Sequence, residues 1–166
     1  MARVFVGIGS NIDPQVNIAS ILSLLQNHFS PLRISPIYQS PAVGFSGDIF
    51  YNLVVEFEYL QPLSELIQTL SAFEQQYQGA LSGLRYHPRK MDIDVLLFGD
   101  LVEFTADYEI PRSDILKFAF VLKPLVDLAP ELIHPQLQLT LRQLWETSIH
   151  PHFPLKVSNT LLINSS

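Results

Sequence analysis

Three features of the chain predict an α+β sandwich: four short runs with strand patterning, two longer stretches with helical patterning between them, and turn-forming residues at the junctions. Their order, strand, helix, strand, strand, helix, strand, is the split βαβ pattern of a ferredoxin-like fold, with additional helices appended after the fourth strand. With 166 residues, 48% of them apolar, the chain is expected to form a single domain over 1–166 around one continuous core.

Val4 to Ile8 is apolar and rich in β-branched residues, and Gly9, Ser10 and Asn11 follow it with turn chemistry, so a strand and then a turn are predicted. Pro14 suits a first helical position and Asp13 a capping one. Val16, Ala19, Leu22 and Phe29, with Ile18, Ile21 and Leu25 beside them, predict a helix from Gln15 to His28. Leu32 to Tyr38 and Tyr51 to Tyr59 alternate in polarity and predict two antiparallel strands, separated by a long loop containing SPAVGFSGDIF. Pro62 opens a second helix whose stripe, Leu63, Leu66, Ile67, Leu70 and Phe73, fades near Gly79. Gly79 to Arg89 has no apolar period and is predicted to be a mobile loop. Met91 to Phe98 is the fourth strand, ended by Gly99-Asp100. Ile115 to Leu128 predicts a buried helix, kinked or restarted at Pro124, and Pro130 to Trp145 one further short helical piece, after which polar residues are expected to fray.

The composition excludes several classes of function. There is no cysteine, which removes disulfides, thiolate zinc sites and cysteine nucleophiles and allows a cytoplasmic location. The N-terminal apolar run is too short for a signal peptide or a membrane span, so no membrane partner is expected. A net charge of -6 disfavours nucleic acid, whose binding depends on clustered Lys and Arg, and a ferredoxin-like RNA-binding module is disfavoured on the same ground. The histidines His28, His87, His134, His150 and His152 lack zinc-ligand spacing.

The most informative stretch is RYHPRKMDIDVLLFGD, where Asp92 and Asp94 interrupt an apolar strand. Residues two apart share a strand face, which puts their α-carbons about 7 Å apart and suits a pair of hard cations separated by about 4 Å. Ile93, Val95 and Leu97 are expected to face the core. The alternative is an edge strand whose two aspartates are merely solvated. Arg85 and Arg89, seven and three residues before Asp92, favour the metal reading, because guanidinium groups beside Mg²⁺ suit phosphate oxygens; they could equally pair with the aspartates.

Three separated motifs then give the chain a specific resemblance. Gly9-Ser10-Asn11, the stretch Pro88, Arg89, Asp92 and Asp94, and Ile110-Pro111 followed by FVLKPLVDLAPELIHP from Phe120 to Pro135 resemble the 6-hydroxymethyl-7,8-dihydropterin pyrophosphokinase family over the chain up to about residue 145. The resemblance implies a Mg²⁺-dependent transfer of diphosphate from ATP to a pterin alcohol in folate biosynthesis, with release of AMP. It implies Asp92 and Asp94 as ligands of two Mg²⁺ ions, with Arg89 assisting catalysis. It also implies a pterin pocket of Tyr86 and Phe120 as aromatic walls, Asn52 as the edge-reading amide, and Ser40, Pro41, Val43 and Phe50 around them. The chemistry agrees: a flat ring favours aromatic walls, and an amide offers both donor and acceptor. Glu74 matches a family carboxylate near the nucleotide, although its place on the helix also suits a solvated glutamate. His87 is a further expected ATP contact.

The phosphate side departs from the family pattern. The loop expected to carry arginines reads GALSGL from Gly79 to Leu84, Arg112 stands in place of a histidine, and Phe118 in place of an arginine. Arg85, Arg89, Arg112 and Lys117 are the remaining candidates for the ATP phosphates. Two readings follow: an active pyrophosphokinase, or a catalytically weakened or inactive pterin-binding relative. The expected partners are ATP and the pterin, and the chain is expected to act as a monomer.

Overall fold

The computed structural model describes residues 1–40, 49–78, 91–148 and 156–158. Its elements are β1 (Ala2–Ser10), α1 (Pro14–His28), β2 (Arg33–Ile34), β3 (Ile37–Ser40), β4 (Phe50–Tyr59), α2 (Leu63–Gln78), β5 (Asp92–Phe98), β6 (Glu103–Phe104), β7 (Glu109–Ile110), α3 (Asp114–Lys117), α4 (Ala119–Leu128), α5 (Leu141–Thr147) and β8 (Lys156–Ser158). The main sheet runs β5-β1-β4-β3-β8, with β2 also paired to β4 and every pair antiparallel. The first four places are the ferredoxin-like order, as predicted. The strand predicted at Leu32–Tyr38 is broken into β2 and β3 around Ser35, whose backbone N–H donates to the Val54 carbonyl and whose hydroxyl accepts from the Val54 N–H. The sequence reading has no counterpart for β6, β7 or β8.

Both faces of the sheet are covered. Val4, Val6, Ile8, Leu53, Val55 and Ile93 pack under α1 and α2. Phe5, Val54, Leu96 and Leu97 pack under α3, α4 and α5 on the opposite face. Leu97 was expected beside Ile93 and Val95. A register shift between β1 and β5 pairs Phe5 with Leu97 but Val6 with Val95, so the extra residue turns both Leu96 and Leu97 towards α4.

Three local expectations also change. The buried side of α1 is Asn17, Ile18, Ile21 and Leu25, whereas Val16 is 70% exposed. Asp13 precedes α1 in the left-handed region (φ 42°) and makes no side-chain cap; its carbonyl accepts from the Asn17 N–H instead. The appended helix breaks at Phe118, which is extended (φ -126°, ψ 124°), and not at Pro124, which lies inside α4. Burial of Leu122, Leu125 and Val126 against the sheet outweighs the donor that proline removes. The final short helix is α5, closed by a reciprocal cap between Thr140 and Gln143.

Candidate active site

The site is built over the end of the sheet that α4 leaves uncovered. Gly7 and Gly9 on β1 form its floor: Gly9 lies between Asn52 of β4 and Asp92 of β5, and Gly7 between Val54 and Asp94. Gly9 is in the strand rather than a turn. A β-carbon there would stand 2.9 Å from the Asn52 Oδ1, so only glycine leaves the amide in place. Asn52 is 8% exposed, and its Nδ2 donates to the Ser40 hydroxyl at 3.1 Å, an orientation fixed by the β3–β4 pairing.

Above this floor is a cavity of about 210 Å³, lined among others by Ser40, Phe50, Asn52, Phe120, Asp92 and Asp94. Phe118 also lines it, and its ring stacks on Phe120 with centroids 5.0 Å apart and an interplanar angle of 17°. The sequence marks Phe118 only as an arginine lost from the phosphate side; the extended break before α4 makes it part of the wall. The polar floor between aromatic side chains suits a flat heterocycle with hydrogen-bonding edges.

A second cavity, of about 220 Å³, lies on the outer side of β5 between α2 and β7; its charged lining is Glu74, Asp94, Asp107, Glu109 and Arg112, with Tyr108 among the others. Asp94 lines both. Asp92 and Asp94 are half-buried on the same face of β5, which is an edge strand, as the alternative reading required; yet both line a cavity rather than open solvent. Glu74 does more than a solvated glutamate would: its Oε2 accepts from the Ile93 N–H at 3.0 Å, tying α2 to the strand between the two aspartates.

Arg112 is held beside β5 by its N–H donating to the Leu96 carbonyl at 3.0 Å. Its Nε donates to Asp114 Oδ2 at 2.9 Å, and its Nη1 stands 3.9 Å from Asp94 Oδ1. Burial pulls the guanidinium pKa down, but the charges of Asp94 and then Asp114 more than offset it, and the net shift is upward. Lys117 is exposed at the end of α3 and lines neither cavity. Pro41, Val43, Arg85, Tyr86, His87, Pro88 and Arg89, with the 79–84 stretch, lie outside the described residues.

The donor set fits a hard divalent cation. Two half-exposed carboxylates supply anionic oxygens on one face, and among the described residues no group of three His, Asp or Glu could hold an ion alone. A pair of carboxylates completed by water and substrate phosphate is the usual protein site for Mg²⁺.

Two cavities share the Asp94 carboxylate on a ferredoxin-like sheet, which leaves room for two small ligands side by side. A family model for 7,8-dihydro-6-hydroxymethylpterin-pyrophosphokinase (HPPK) matches residues 5–130. The chain belongs to this family and is a pyrophosphokinase enzyme. Proteins named 2-amino-4-hydroxy-6-hydroxymethyldihydropteridine pyrophosphokinase from Pseudomonas aeruginosa and Aquifex aeolicus are 36% and 31% identical to it over 138 and 137 residues. Those matches cover 80% and 81% of this chain and 84% and 85% of the relatives. Among solved structures, an HPPK-DHPS in complex with substrates has a TM-score of 0.69 at 11% identity, over 89% of this chain and 45% of that one. Wild-type Plasmodium falciparum HPPK-DHPS has 0.67 at 15%, over 87% and 44%. These likenesses concern the fold, and the chain spans less than half of either protein.

Proposed function

We propose that the protein transfers a diphosphate from ATP to the hydroxymethyl oxygen of 6-hydroxymethyl-7,8-dihydropterin, with Mg²⁺ bound at Asp92 and Asp94, and releases AMP as a step of folate biosynthesis in the cytoplasm. The observation that carries this reading is the position of Asp94, common to an aromatic cavity that suits the pterin and to a polar one where Arg112, with cations at the carboxylates, would meet the nucleotide phosphates. A pterin in the first cavity would have Asn52 along its edge and Phe120 against its face, with Phe50 beside it. The hydroxymethyl group would then point towards β5.

In the reaction a new bond forms between the hydroxymethyl oxygen and the β-phosphorus. The bond from that phosphorus to the α–β bridging oxygen breaks, its electron pair leaves with AMP, and an oxygen of Asp94 takes the hydroxyl proton. Two Mg²⁺ ions, when bound, would neutralise phosphate charge along this path. The chain contributes position: Glu74 holds the strand segment between the aspartates, and Gly9 keeps the Asn52 amide in place. Arg112 lies in the nucleotide cavity and would meet phosphate oxygens, whereas Lys117 would need to turn inward to do so. Arg85 and Arg89 are proposed to assist at the phosphates, Tyr86 to wall the pterin and Pro41 and Val43 to surround it.

Purified protein with ATP, Mg²⁺ and the pterin alcohol is expected to yield AMP and pterin diphosphate by chromatography; formation of ADP would overturn the reading. Alanine at both Asp92 and Asp94 is expected to lower turnover at least about 10²-fold. A second reading, a pterin-binding relative with weakened or lost transfer, is favoured by Phe118, an apolar wall where the family carries a guanidinium. Calorimetry separates the two: tight Mg-ATP binding removes the second reading, and pterin binding without Mg-ATP binding supports it.

A further inference from the structure

Arg112 stands in a competitive position. Its Nη1 is 3.9 Å from an oxygen of Asp94, and the two side chains are only 33% and 41% exposed. At 3.9 Å the guanidinium makes no hydrogen bond to Asp94 and leaves its lone pairs open, but its fixed positive charge repels a divalent cation entering there. The guanidinium is also anchored from another side. Asp114 accepts its Nε at 2.9 Å, so Arg112 would not lose every partner if its terminal nitrogens left Asp94. Both Arg112 and Asp94 line the second cavity, whose other charged side chains are the carboxylates of Glu74, Asp107 and Glu109, so a polyphosphate would enter together with its cation; it then offers the guanidinium paired oxygens, a better match than a carboxylate at 3.9 Å.

We propose that Arg112 is the built-in counter-ion of Asp94, so that divalent cation and polyphosphate bind together far better than the cation binds alone. The proposal rests on Asp92 and Asp94 being the metal pair. In the nucleotide-free protein the cation would bind against the charge of Arg112. With ATP present the phosphates take up the guanidinium and return the Asp94 oxygens to the cation. The exchange requires rotation of one side chain, because the Arg112 backbone stays bonded to Leu96. Arg112 would thus be a positioning residue for the metal as well as a phosphate contact.

The test is Mn²⁺ binding, followed by electron paramagnetic resonance of the free ion, to wild type, R112Q and R112K, with and without a non-hydrolysable ATP analogue. Without nucleotide, R112Q is expected to bind Mn²⁺ about twofold to fivefold more tightly than wild type, the scale of a partly exposed ion pair. R112K, which keeps the charge, is expected to stay near wild type. With the analogue present, the advantage of R112Q is expected to vanish or reverse. Equal or weaker nucleotide-free Mn²⁺ binding by R112Q, with D92A/D94A still losing Mn²⁺ in the ternary complex, overturns the counter-ion role and leaves the metal pair intact. Undiminished Mn²⁺ binding by D92A/D94A overturns the metal pair itself and the counter-ion role with it.

Discussion

Gly9 shows how one residue controls the site. It lies between Asn52 and Asp92 in adjacent strands, and its missing side chain is what lets the amide lie over the floor. Gly9→Ala is therefore expected to displace Asn52, raise the KM for the pterin at least about tenfold and leave Mg-ATP affinity near wild type. Isothermal titration with each ligand separately checks the split, and equal loss of both would point to general damage instead. Asn52 and the aspartate pair were legible in the sequence, because a polar residue within an apolar strand needs a partner. The role of Gly9 was not, since glycine in a strand carries no sign of which neighbour crosses over it. Asn11 lies just beyond β1, buried at 2% exposure, and its side-chain amide has no hydrogen-bond partner among the described residues.

At the scale of elements, the connection from α4 to α5 carries a pH dependence. His134 is 1% exposed, and its Nδ1 accepts from the backbone N–H groups of Gln136 and Leu137 at 3.2 Å each. Burial pushes its pKa down, and a proton on Nδ1 would oppose two donors. The folded chain thus keeps the ring neutral where the unfolded chain protonates it. Below about pH 6.5 the unfolded state binds the extra proton, so stability is expected to fall with pH until the folded ring also titrates. Urea midpoints between about pH 7 and 5 should show this slope, flattened in His134→Asn, which retains an acceptor. A neighbouring clamp secures α4 itself. The Tyr38 hydroxyl donates to Asp127, which also meets Lys123 at 3.0 Å, and Lys123 lies 5.6 Å over the Trp145 ring of α5. Burial, and then Asp127, push the Tyr38 phenol above its usual range. The helices were legible from apolar period. The partners of Tyr38 and His134 were not, because they are separated from them in sequence or depend on the path of a turn.

On the scale of the whole molecule, helices on both faces bury the sheet and leave its Gly7–Gly9 end open, which is where the two substrates are proposed to meet. Val16, Leu60 and Phe104, each more than half exposed, lie on α1, after β4 and on β6, while Ile133, Leu137 and Leu139 are exposed together in the connection from α4 to α5. We propose a monomer, and light scattering coupled to size exclusion is expected to give the mass of one chain; a dimer mass would contradict it. No helix among the described residues is long and apolar enough to cross a membrane. By itself the sequence determined the order of strands and helices, the ferredoxin-like pattern and the shared face of Asp92 and Asp94, because periods of two and of 3.6 residues are written locally. Only the tertiary structure decided that Leu97 turns with Leu96, that the last helix breaks at Phe118, that Glu74 holds Ile93 and that Arg112 reaches Asp94. Those outcomes depend on strand register and on packing between distant segments, which no local period encodes.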